Sequence, residues 1–110
     1  MDWIDEAANN RKILKKHDPL LFKKVAEILF KHDPMGIDYE VNSNEYEPEA
    51  GTIIPRLVTC SNFIEARKVI YEEFIRWFYD DVGSESEYTE VAKEIWDTWI
   101  SNNSRNGIKK

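Results

Sequence analysis

Few side chains in this sequence are spaced for chemistry. His17 and His32 each open a His-Asp-Pro triplet, 15 residues apart. Protein metal sites use histidines one helical turn apart or in company with cysteines. These two have neither arrangement, so no metal is expected. The single cysteine, Cys60, stands between Thr59 and Ser61 with no histidine near it in sequence. It reads as a small buried apolar residue, not as a nucleophile. Carboxylates are adjacent at Glu72-Glu73 and at Asp80-Asp81. Neighbours on a helix point apart, so neither couple makes an acid–base pair by itself. Glu45, Glu47 and Glu49 could help to hold a hard cation, but they lack the regular ligands and central glycine of a recognisable Ca²⁺ loop. A phosphate-cradling glycine loop and a serine-centred elbow are both missing from the sequence. The residues therefore name no catalytic group and no cofactor, and the chain is expected not to be an enzyme.

What stands out is charge. The 110 residues carry 21 acids against 15 Lys/Arg, a net charge of −6. The imbalance is local. Residues 1–32 have seven bases and five acids, whereas residues 33–60 have six acids and only Arg56. That argues against a nucleic-acid binder working by phosphate neutralisation and fits either a solvated acidic loop or a protein that meets a basic partner. Trp77, Trp96 and Trp99 lie on helical stripes and are read as core. A base-stacking platform would surround them with Lys and Arg. One cysteine fits a reducing cytosol. The first residues lack a basic and apolar leader, and no apolar run approaches the ~20 residues that span a bilayer. A cytoplasmic protein without membrane contact is expected.

The elements that would position these acids are helices. Apolar residues recur at three- and four-residue spacing through most of the chain. The pattern predicts helices over about residues 3–16, 19–32, 62–80 and 87–101, the second started by Asp18-Pro19 and the fourth by Asn62 with Glu65. Between them lies an irregular stretch at 33–57. Pro34, Gly36 and Asn42-Ser43-Asn44 mark a loop over 33–44. Asn44 is expected to cap a third helix whose first turn holds Glu45, Glu47 and Glu49. Pro55 should kink that helix or split it into two pieces. Gly83 is expected to end the fourth helix. The sum is an all-α, bundle-like single domain over 1–101, with a frayed tail at 102–110.

Asp33-Pro34-Met35-Gly36-Ile37, then Asn44-Glu45-Tyr46-Glu47-Pro48-Glu49-Ala50-Gly51-Thr52-Ile53-Ile54-Pro55-Arg56-Leu57, then Glu72-Glu73-Phe74-Ile75-Arg76-Trp77-Phe78 resemble a group of small uncharacterised bacterial proteins. The likeness covers roughly residues 20–100. Some proteins of that kind are similar to immunity proteins of contact-dependent inhibition and other polymorphic toxin systems. The resemblance implies no reaction and no catalytic residues. It implies a protein-binding module that neutralises a cognate toxin, such as a nuclease, through an acidic surface. The residues expected to form that surface are Asp38, Glu40, Glu45, Glu47 and Glu49, with Tyr39 and Tyr46 as aromatic anchors. Two alternatives stand beside it. One is a small carboxylate- or metal-dependent enzyme using His32, Asp33, Glu45 and Glu73. The other is a self-associating structural subunit.

Overall fold

The apolar spacing is realised as five α-helices: α1 (Trp3–His17), α2 (Pro19–His32), α3 (Glu47–Leu57), α4 (Phe63–Phe78) and α5 (Thr89–Arg105). The computed structural model describes residues 3–32, 34 and 46–105. Two short 3-10 turns, Tyr79–Val82 and Glu85–Tyr88, connect α4 to α5. Among the described residues there is no strand, so the domain is all-α. The loop expected at 33–44, with Asn44 as a cap, lies outside the described residues apart from Pro34.

Helix α3 is the hub. It packs on α1, α2 and α4, while α5 closes the other side against α2 and α4. Its buried residues are Glu49, Ala50, Gly51, Ile53, Ile54 and Leu57. With Tyr46 just before it, they follow the helical period at 46, 49, 50, 53, 54 and 57. The facing stripe of α4 is Ala66, Val69, Ile70, Glu73 and Phe74. Leu21, Phe22, Val25, Ala26 and Leu29 of α2 and Val91, Ala92 and Ile95 of α5 complete the core. Each large apolar side chain fully removed from water contributes roughly 1.5–3 kcal/mol. Helix α1 contributes least: Ala7 is its one buried residue.

Several local expectations need correcting. Helix α3 begins at Glu47 with Tyr46 in the capping position, and no side chain caps it. Pro48 sits in the first turn, where its missing N–H costs nothing. Pro55 does not split the helix, which runs continuously to Leu57. Its ring is on the exposed side, so the lost bond to the Gly51 carbonyl falls where the backbone can relax outward. Gly83 does not end α4. The residue that turns the chain is Tyr79, at φ 60° and ψ −122°; Gly83, at φ 75°, ends the 3-10 turn that follows. Helix α5 continues beyond residue 101 to Arg105, and Asn102 donates to the Asp18 carboxylate at 3.4 Å.

The start of α4 behaves as its sequence implies. Asn62 Oδ1 accepts from the Glu65 amide at 3.0 Å, and Glu65 Oε1 accepts from the Ser61 amide at 2.7 Å. The reciprocal bond reaches one residue further back than in the usual capping box.

Candidate functional site

The acidic surface is only partly displayed. Asp38, Tyr39, Glu40 and Glu45 lie outside the described residues. Tyr46 is fully buried and rests on the Phe74 ring, with centroids 6.1 Å apart. Glu49 is also buried. Neither side chain is presented to a partner, because both lie on the stripe that α3 turns into the core. Glu47 remains half-exposed and faces Lys15 across 3.3 Å.

Of the carboxylate-enzyme grouping, the two described members have different partners. His32 Nε2 lies 3.0 Å from Glu94 of α5, which Lys31 also reaches at 2.8 Å. Those contacts hold the Glu94 carboxyl below its ordinary range, the Lys31 hydrogen bond first among the causes. Glu73 instead meets Arg56 and Arg76. Asp33 and Glu45 lie outside the described residues. No group of three or more His, Cys, Asp or Glu side chains is arranged for a metal ion among the described residues. Cys60 is half-buried, and burial, with Glu65 nearby, pushes its thiol pKa up. That makes it a poorer nucleophile.

Sequence reasoning missed the cluster that the fold does assemble, between α1, α3 and α4. Glu73 lies on the buried stripe of α4, with 2% of its side chain exposed. A carboxylate in that position must be compensated. Arg56, the last residue but one of α3, donates Nη1 to Glu73 Oε2 at 2.9 Å and Nη2 to Glu72 Oε1 at 2.7 Å. One guanidinium thus spans two carboxylates that point apart along α4, using its planar fork of donors. Burial works against the Arg56 charge, yet the two hydrogen bonds and the field of both carboxylates outweigh it and raise its pKa. Arg76, one turn beyond Glu73, brings Nη1 to 3.6 Å from Oε2, beyond good hydrogen-bond length. Its guanidinium lies over the Trp3 ring, 4.2 Å from the centroid. Trp3 in turn meets Trp77 edge-on, with centroids 4.8 Å apart. The Trp77 indole N–H donates to Thr52 Oγ1 at 3.0 Å, and that hydroxyl donates to the Glu49 carbonyl at 3.2 Å.

These residues line a cleft of about 170 Å³. Trp3, Glu6, Ala7 and Asn10 form one wall, at helical i, i+3, i+4 and i+7. Gly51, Thr52, Pro55 and Arg56 form the second wall, and Glu73 and Arg76 the third. Two features of the cleft are unusual. Glu73 Oε1 is buried and has no hydrogen-bond partner among the described residues. A buried acceptor left this way costs roughly 1–3 kcal/mol, and more when charged. Pro55 has no N–H, so the Gly51 carbonyl lacks its ordinary i+4 donor. Gly51 also lets α1 approach: a Cβ there would stand 3.2 Å from Arg11 Cβ.

The cleft draws its residues from three separate stretches of sequence, 3–10, 51–56 and 73–76. Their separation in sequence hides their contact in space. No protein-family model, curated protein or solved structure matches the chain.

Proposed function

We propose that this chain is a protein-binding module of the immunity kind, which neutralises a basic toxin by covering its positive surface. The observation that carries the reading is the commitment of Arg56. It is the only base between residues 33 and 60, and Glu72 and Glu73 of α4 already occupy it. The acids at 33, 38, 40 and 45 have no base within their own segment to neutralise them. A surplus of that kind attracts a basic partner over distances near the Debye length, ~8–10 Å, and speeds encounter. Carboxylates seated where phosphates would lie also exclude a nucleic-acid substrate, which suits a nuclease as the target.

The burial of Tyr46 and Glu49 narrows the proposed surface to Asp38, Tyr39, Glu40 and Glu45, with Glu47 at its edge. The test is binding to the product of the neighbouring reading frame, followed by stopped-flow association at two salt concentrations. Replacing Asp38, Glu40 and Glu45 by Ala should slow association and flatten its salt dependence. Association kinetics identical to the native protein would remove this surface from consideration, and failure to bind the neighbouring product would remove the toxin.

A further inference from the structure

The cleft between α1, α3 and α4 is too small for an ordinary small-molecule ligand, whose pockets run to ~300–1,000 Å³. At about 170 Å³ it suits a single side chain. Among the described residues, the one buried side-chain atom of its lining without a hydrogen-bond partner is an acceptor. Glu73 Oε1 has no donor among the described residues, the Gly51 carbonyl has lost its helical donor to Pro55, and the exposed Glu6 carboxylate stands on the α1 wall. Arg56 is already neutralised by Glu72 and Glu73. A visiting group must therefore donate hydrogen bonds, and positive charge suits it best.

The cleft already shows how such a group would sit. Arg76 lies over Trp3 at 4.2 Å and approaches Glu73 to 3.6 Å without a good hydrogen bond. It is 45% exposed. An aromatic face with a carboxylate behind it is a recognised cradle for a cation, and here the chain's own arginine fills it loosely. Glu73 Oε1 has almost no accessible surface, so a visitor reaches it by displacing a wall side chain. Arg76, half-exposed and beyond good hydrogen-bond length from Glu73, is the wall side chain such a visitor would displace.

We propose that this cleft receives one guanidinium or ammonium side chain of a partner protein, which replaces Arg76 over Trp3 and hydrogen-bonds the Glu73 carboxylate. The identity of the visitor as part of a basic protein rests on the function proposed above. The cleft itself can be tested without any partner, so the two ideas fail separately.

The probe is agmatine, titrated into the full chain while the indole N–H resonances of Trp3 and Trp77 are followed by NMR. The native protein should show saturable shifts of both resonances. Arg76→Gln removes the resident competitor and should tighten agmatine binding several-fold. Glu73→Gln should abolish it, with circular dichroism confirming that the helices persist. A purely structural Glu73–Arg76 contact would make both variants weaker or leave both unchanged. Should Glu73→Gln fail to fold, the Arg76→Gln result decides alone. No saturable shift in the native protein, no gain with Arg76→Gln, or a response to N-acetyl-aspartate in place of agmatine would each overturn the proposal.

Discussion

Arg56 and Glu73 form an ion pair with opposite surroundings: 40% of the arginine side chain is exposed, against 2% of the glutamate. The pair joins α3 to α4 at 2.9 Å. Removing the arginine strands a buried carboxylate, whereas removing both partners strands nothing. Arg56→Ala should therefore cost about 2–3 kcal/mol, below the ~3–5 kcal/mol of a fully buried pair because Arg76 still helps. The double replacement of Arg56 and Glu73 by Met should recover most of that loss. Urea unfolding of the two single variants and the double variant measures the coupling.

Tyr88 predicts an alkaline limit to stability. Burial, reinforced by Tyr71 and Glu87, pushes its hydroxyl pKa up to about 12 from the ordinary 10. Its hydroxyl donates to the Val82 carbonyl at 2.8 Å. The unfolded chain releases this proton near pH 10, while the folded chain holds it until about 12. The contribution is thus intact below pH 10 and is lost as pH rises from 10 to 12. It amounts to about 2–3 kcal/mol at 1.36 kcal/mol per pKa unit. Tyr88→Phe should be about 1 kcal/mol less stable at pH 7 through the lost hydrogen bond. Its stability should fall less steeply between pH 10 and 12 than that of the native protein.

Tyr79 holds a positive φ of 60° that a side chain with a Cβ resists. Such a conformation costs roughly 1–3 kcal/mol. Tyr79 is 75% exposed, so little packing offsets the cost. Tyr79→Gly should raise stability by about 1 kcal/mol after the added freedom of the unfolded chain is counted. Thermal unfolding followed at 222 nm would register it as a higher Tm.

Gly51 sets the spacing between α1 and α3. Its replacement by Leu drives a branched side chain into Arg11, whose Cβ already stands 3.2 Å from the position a Cβ would take. The expected cost is about 1–3 kcal/mol from overpacking, despite the gain in helix propensity over glycine. The diagnostic readout is local. The Trp3 indole resonance should move as α1 is pushed off the Arg76–Trp3–Trp77 cluster, while the Trp96 and Trp99 resonances stay in place.

Much of the fold can be read directly from periodicity. The stripes of α2 and α5 and the Asn62–Glu65 cap are local patterns, and local patterns survive folding. The candidate site is harder to read for a physical reason. Tyr46, Glu49, Ala50, Ile53, Ile54 and Leu57 form an unbroken helical stripe, yet Glu49 reads as solvent-facing because of its charge. Glu73 is hidden in the same way between Ile70 and Phe74. A carboxylate inside an apolar stripe is the signal that would have located both. What it needs as compensation is not written nearby: Arg56 is 17 residues from Glu73, and no periodic pattern links them. Pro55 misleads in the opposite direction, since a proline on the outer side of a short helix disturbs it less than its reputation implies.

The way α1 is attached has a consequence for the cleft. Ala7 is the one buried residue of that helix, with Leu14 half-buried against the core, so its amides should exchange with solvent deuterium through opening events below the free energy of global unfolding. Trp3, Glu6, Ala7 and Asn10 make one entire wall of the cleft. Opening of α1 would remove that wall and release Trp3 from Arg76, a second way into the space besides an outward swing of Arg76.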